Sequence, residues 1–165
     1  MNCSLLSKRY NVRKMNTNDV PLLFSLCRNN VLYYKYYPPL VTEESLLHDL
    51  TALPPKKEAK DKYYVGYFAE DKLIAVMDLI MSYPNPDIAF IGFFMCDVTI
   101  QSKGIGTSII DELCSYMRTI GITSIRLAFV KDNPQASHFW YKNNFIKLKT
   151  FAQDNRTLVL AERKL

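Results

Sequence analysis

At 165 residues the chain is long enough to bury a hydrophobic core without disulfide or metal staples, and nothing requires a second domain. With 48% hydrophobic and 22% charged residues the composition excludes wholesale disorder, and no apolar run reaches the roughly 18 residues of a membrane span. A net charge of +5 suits solubility and, equally, attraction for phosphorylated ligands or an acidic partner.

Met1 to Arg9 lacks the apolar stretch of a signal peptide, so the expectation is a cytoplasmic protein with one domain over residues 1–165 and no membrane partner. Cys3, Cys27, Cys96 and Cys114 show no C-x-x-C spacing, and only His48 and His138 could assist them. Reduced thiols packed as small hydrophobes are expected, and no metal site.

Lys8 to Met15 alternates as a first strand. Asn16-Thr-Asn-Asp19 then supplies N-cap residues for a helix carrying Leu22, Leu23, Leu26 and Cys27, with Pro21 in its first turn. Asn29 to Pro39 reads as a loop holding Tyr33, Tyr34, Tyr36 and Tyr37. Thr42 caps a second helix with Leu46, Leu47 and Leu50 on one side, and Pro54-Pro55 ends it. The mixed-charge run Lys56 to Lys62 reads as a solvated loop. Tyr63 to Ala69 and Leu73 to Met81 form strands joined by a tight hairpin at Glu70-Asp71, and Pro84-Asn-Pro-Asp87 breaks the chain before the next strand.

Ile88 to Met95, I-A-F-I-G-F-F-M, leaves no room for a solvated face and suits a strand covered on both sides of a sheet. Gln101-Ser-Lys-Gly104-Ile-Gly106 comes next. Ile105, Ile109, Leu113, Tyr116 or Met117, and Ile120 then recur at helical spacing, which predicts a helix from about Gly104 to Gly121. A strand feeding glycines at a helix N-terminus is a place for negative charge: the first amides lack intrahelical partners and the dipole adds roughly half a positive charge. A Walker A loop is excluded because Lys103 precedes the glycine instead of following it. A dinucleotide fingerprint is disfavoured because Ile109 stands at its third glycine and no acid follows at the required distance. What remains is Q-x-x-G-x-G, at Gln101, Gly104 and Gly106.

Ser124 to Lys131 is a further strand, and Ile146 to Gln153 pairs with Arg156 to Glu162 around Asp154-Asn155. Between them, Asn133-Pro-Gln-Ala136-Ser-His-Phe139-Trp140-Tyr141-Lys-Asn-Asn-Phe145 resembles the N-x-x-A-x-x-x-Y-x-K-x-G-F segment of the GNAT family of acyl-CoA-dependent N-acyltransferases. Combined with Q-x-x-G-x-G, in the order strand, helix, strand, helix, strand over Ile88 to about Leu160, the resemblance is far more specific than either motif alone. The element order β-α-α-β-β-β-α-β-α-β-β predicts an α/β (α+β) fold: a mixed, mostly antiparallel central sheet with helices on both faces and one parallel pair. The resemblance implies that this parallel pair splays past a bulge and holds acyl-CoA between its strands.

The same resemblance implies an acetyl-CoA-dependent N-acetyltransferase acting on a primary amine. It places the coenzyme A diphosphate on the amides of Gln101, Ser102, Lys103, Gly104, Ile105, Gly106 and Thr107, with Lys103 adding charge. It places the pantetheine arm along Met95, Cys96 and Val98 and beside Asn133, with Ala136 and Trp140 on the same helix face. Asn133 equally reads as a plain helix cap before Pro134, and the two roles are compatible.

Direct attack on a thioester needs the amine to lose a proton, a backbone N–H near Cys96 or Asp97 for the oxyanion, and optionally a proton for the leaving thiolate. Many family members place a tyrosine seven residues after the asparagine for that last task; this chain has Trp140, a hydrogen-bond donor and no practical acid. Tyr141 lies one residue on, rotated by about 100°. A thiol with a pKa of about 8.5 leaves without help, so the substitution weakens the general-acid assignment more than the activity. Asp97, Asp78 and His138 are the candidate bases, with a water chain as the alternative. Asp78 shares a strand face with Ile74, Val76 and Ile80, so it needs a wet cleft or a partner. Asn144 stands where the family pattern has glycine and tolerates the left-handed conformation of a helix end.

In this family the acceptor is bound by the segment between the first two helices, here Asn29 to Val41, and by the final hairpin. Tyr33, Tyr34, Tyr36 and Tyr37 would form an aromatic wall for an amine or else pack in a core or dimer interface. Small amines, aminoglycoside-like compounds, protein N-termini and charged transfer RNA stay open, as do monomer and homodimer. Because of Trp140, a catalytically silent acyl-CoA-binding or interaction protein of the same fold is the alternative. A nucleic-acid-directed enzyme ranks below both, since the basic residues are scattered instead of clustered.

Overall fold

The computed structural model describes residues 1–165. Strands β1 (Asn11–Lys14), β2 (Lys62–Ala69), β3 (Lys72–Ile80), β4 (Ile88–Cys96), β5 (Ser124–Val130), β6 (Ile146–Gln153) and β7 (Arg156–Lys164) join one sheet in the order β1-β2-β3-β4-β5-β7-β6. Every pairing is antiparallel except β4 with β5. The expected mixed sheet with one central parallel pair is therefore present.

Alternation along the strands feeds two cores. Val65, Met77, Ile91 and Leu127 face α4 (Ile105–Thr119) and α5 (Pro134–Lys142), where Ile109, Ile110, Leu113 and Trp140 complete the larger core. Tyr64, Phe68, Val76 and Met95 face the opposite layer, built from α1 (Val20–Arg28), α2 (Val31–Tyr36) and α3 (Glu43–Thr51) through Leu23, Leu26, Tyr34 and Leu46. Leu22 and Leu47, expected among the inward leucines, are exposed.

Three local expectations are corrected. The tyrosine segment is not all loop, because Tyr33 and Tyr34 anchor a short helix, α2, by packing onto Phe93 and the second core. The first strand is shorter than Lys8 to Met15: Ser7 Oγ accepts from the Arg9 and Tyr10 amides, which turns the chain before Asn11. Lys62 is not part of a solvated run; it opens β2 and is buried. Its ammonium is neutralised there by Asp78 at 2.7 Å, which local charge composition could not reveal.

Candidate active site

The parallel pairing of β4 and β5 covers only Ile88↔Ser124 to Ile91↔Leu127, although both strands run on, to Cys96 and Val130. The register between β3 and β4 slips between Asp78↔Phe93 and Leu79↔Ile91, so Gly92 is the extra residue of a β-bulge. Past it the strands part. A cleft of about 1380 Å³ passes through the split, lined on one side by α4 and α5 and on the other by α2, α3 and the β6–β7 hairpin.

Beyond the bulge, β4 presents an unpaired edge. Asp97 N donates to Ile74 O on β3, while Cys96 O instead accepts from Gln101 Nε2 (3.0 Å) and Asn30 Nδ2 (3.3 Å). Antiparallel alternation then turns the Cys96 and Phe94 amides toward the split and the Asp97 amide away from it. Of the two amides expected to face an oxyanion, only that of Cys96 is free to do so.

At the end of this edge, α4 begins on Gly104, whose φ of +79° lies in the left-handed region that favours glycine. Its first i→i−4 bond is Ser108 N to Gly104 O at 3.0 Å, and the amides from Gln101 to Thr107 donate to no protein acceptor. Gly106 is small for a different reason: a Cβ there would lie 3.1 Å from Phe139 and 3.4 Å from Cys96 Sγ. Gly104 thus shapes the turn, and Gly106 lets α4 approach α5. Ser102, Gly104, Gly106 and Thr107 line the cleft. Lys103 turns its Nζ to Thr99 O at 2.8 Å, and Ile105 packs on the larger core. Val98 is exposed and lies outside the cleft lining.

Gln101 is held by its side chain. Its Nε2 donates to Asn30 Oδ1 at 2.7 Å and its Oε1 accepts from Gln135 Nε2 at 3.0 Å, so one residue ties β4, α2 and α5 together. Sequence reasoning missed Asn30 and Gln135, since polar residues far apart in the chain carry no local signal of this network. Asn133 Oδ1 caps α5 by accepting from Ala136 N at 3.1 Å, and both residues line the cleft with Met95, Cys96 and Trp140. Trp140 is only 7% exposed, set among Phe94, Phe139 and Phe145 at centroid distances of 4.9–6.0 Å.

The structure separates the candidate acids and bases. Asp97 caps the turn after it: its Oδ1 accepts from Thr99 N (2.8 Å) and Thr99 Oγ1 (2.6 Å), and it does not line the cleft. Burial pushes its carboxyl up, but the Thr99 bonds and the Lys72 charge outweigh that and hold it below the usual carboxylate range. Tyr141 packs edge-on against Phe129, half-exposed and outside the cleft. His138 lines the cleft, as does Asp78. Burial pushes the Asp78 carboxyl up despite the opposing charge of Lys62. Tyr33, Tyr34 and Tyr37 line the acceptor side, whereas Tyr36 does not. Arg156 closes the far rim, donating to Pro38 O and stacking over Tyr37 at 4.5 Å.

Residues 30–145 match the model of the acetyltransferase (GNAT) family. The chain belongs to the GNAT family. Its general kind of reaction is acetyl-CoA-dependent N-acetyl transfer, which makes this GNAT chain a transferase by kinship. Among solved structures, an acetyltransferase from Thermus thermophilus superposes with a TM-score of 0.77 at 18% identity, covering 94% of this chain and 97% of that one. The PaiA N-acetyltransferase of Thermoplasma acidophilum, solved in complex with coenzyme A, gives 0.70 at 20% identity over 94% and 99%. The ribosomal-protein-S18-alanine N-acetyltransferase of Escherichia coli gives 0.67 at 11% identity over 94% and 93%. At these identities the likeness is one of fold. A comparison with curated proteins gives no sequence match. No helix of this GNAT chain is long and apolar enough to cross a membrane.

Proposed function

We propose that the chain, acting as one domain, transfers an acetyl group from acetyl-CoA to a primary amine. One observation carries this: the unpaired edge of β4 runs directly to the unpartnered amides at the start of α4, so amide donors line both segments of one cleft. When bound, acetyl-CoA supplies the thioester that an amine attacks. The amides from Gln101 to Thr107 bind its diphosphate, helped by the helix dipole. The Phe94 and Cys96 amides bind the pantetheine arm, with the Cys96 amide the available donor to a developing oxyanion. Phe139 and Trp140 exclude water from the split, and Tyr33, Tyr34 and Tyr37 wall the acceptor side. No tyrosine hydroxyl takes the place of Trp140, so the thiolate leaves without a protein acid.

That last point favours a second reading, a catalytically silent acyl-CoA-binding protein. Calorimetry with acetyl-CoA, followed by thiol release over a panel of amines, separates the two. Binding with turnover supports the transferase, binding without turnover supports the silent protein, and absence of binding refutes both.

A further inference from the structure

We propose that Asp78 is the base that deprotonates the acceptor amine, that Lys62 is its positioning residue, and that the acceptor is an amine bearing no carboxylate beside its nitrogen. The proposal rests on the acetyl-transfer reading above and deepens it.

The position comes from the sheet. Register sets Tyr64 of β2 opposite Asp78 of β3, and Lys62 lies two residues along β2 on the same face. The Lys62 side chain is 5% exposed and that of Asp78 is 15%, with Lys62 Nζ bonded to Asp78 Oδ2 at 2.7 Å. A Cβ on Gly92 would lie 2.9 Å from the same Oδ2. The carboxylate therefore occupies the space vacated at the bulge, where β4 leaves β5, and both Asp78 and Gly92 line the cleft.

Asp78 is also bonded unlike a structural carboxylate. Asp19 spends both oxygens on Arg13, at 2.7 and 2.9 Å, and Asp97 accepts twice from Thr99 while Lys72 faces its other oxygen. Asp78 Oδ1 is buried with no partner, and so is the neighbouring Tyr64 hydroxyl. Buried polar atoms are nearly always bonded, and a bare carboxylate oxygen in a cleft wall marks a group kept ready to gain a proton. In the reaction a proton of the bound alkylammonium passes to the Asp78 carboxylate, and the N–H pair stays on nitrogen. That pair forms the new N–C bond as the C–S bond breaks, the C–S pair leaving on the coenzyme A thiolate, which takes up the second proton shed by the acylated nitrogen. Asp78 then releases the proton to water.

Charge around this end of the cleft selects the acceptor. Asp49 of α3 lines it too, 3.7 Å from His48 and within the field of Lys62, which is the one cation beside Asp78. Tyr64 is its other titratable neighbour, and burial pushes that hydroxyl's pKa up, so it stays neutral. Arg126 is engaged by Glu162 at 2.6 Å. Lys142 and Lys149 also line the cleft but act on neither carboxylate, so beside Asp78 an alkylammonium balances two carboxylates and one lysine, whereas an α-amino acid would add a third carboxylate.

The test uses the full chain, with Asp78→Asn, Asp78→Glu and Lys62→Met. Asp78→Asn lowers kcat/KM for alkylamines at least about 100-fold, leaves acetyl-CoA affinity by calorimetry within about twofold, and loses the acid limb of the pH profile. Asp78→Glu restores part of the rate. Lys62→Met moves the acid limb to higher pH, because removing a cation raises the pKa of a neighbouring carboxylate. Wild type acylates simple alkylamines and diamines in preference to α-amino acids. An active Asp78→Asn, an unmoved limb in Lys62→Met, or a preference for amino acids overturns the proposal, whereas wild type that binds acetyl-CoA and acylates no amine refutes the acetyl-transfer reading beneath it. Wild type that binds no acetyl-CoA refutes that reading as well.

Discussion

Replacing Gly92 by alanine tests whether the bulge and the Asp78–Lys62 pair are one device. The added methyl would sit 2.9 Å from Asp78 Oδ2, closer than carbon and oxygen tolerate, so the carboxylate must rotate off the 2.7 Å bond to Lys62. Both side chains are largely buried, so water does not replace that bond freely. A charge-assisted hydrogen bond contributes about 1.5–3 kcal/mol. Alanine returns about 0.4–1 kcal/mol by restricting the unfolded chain. The net loss is about 0.5–2.5 kcal/mol, or about 1–10 °C in Tm for a domain of this length. Urea unfolding of Gly92→Ala, Lys62→Met and the double variant reads it directly: the glycine substitution costs less in the Lys62→Met background, with the missing part equal to the coupling. Additive losses, or a Gly92→Ala protein as stable as wild type, would show that the bulge accommodates a side chain without touching the ion pair.

Gly104→Val forces a β-branched residue into φ of +79° while filling space that holds no atom within 4 Å, so any effect works through the turn and not through a clash. Acetyl-CoA affinity falls by about 5- to 150-fold, equivalent to the roughly 1–3 kcal/mol of such strain, and unchanged calorimetric affinity would refute the diphosphate assignment. The bidentate Asp19–Arg13 pair supplies a pH prediction. Hydrogen bonding from Arg13 holds the Asp19 carboxyl below its ordinary value, so its contribution is fully present above the unfolded carboxylate range and is lost as pH falls through the lower folded value. Asp19→Asn therefore narrows its stability gap to wild type on acidification from about pH 5 to about pH 2, and a gap constant over that interval in urea melts contradicts the sign.

Much of this architecture is legible in local pattern. The apolar run before Gln101, the glycine turn and the amphipathic α4 are short-range features, and the sheet's parallel pair follows from element order alone. The site is less legible because its members meet only after folding. Lys62 reads as part of a charged loop since the residues just before it are charged or polar, yet its partner is a residue sixteen positions away on the adjacent strand. Asn30 and Gln101 are 71 residues apart and share one hydrogen bond. The tyrosine segment is helical because ring packing onto Phe93 outweighs weak local propensity. Gly92 does carry a signal, since an isolated glycine in an apolar strand marks a bulge or a close approach, and here it marks both.

That coincidence orders the consequences of mutation. The amides at the start of α4 touch neither Asp78 nor Lys62, so disturbing them changes cofactor affinity and leaves the proton acceptor in place. Asp78→Asn removes the proton acceptor and leaves the amides in place. Gly92 belongs to both: its bulge ends the β4–β5 pairing that creates the amide edge, and its missing side chain admits the Asp78 carboxylate. A substitution there should therefore lower acetyl-CoA affinity and kcat together, while substitutions at Gly104 and Asp78 each lower one. If Gly92→Ala moved only one of the two, the split and the base would have separate structural origins, and the bulge would not be what joins them.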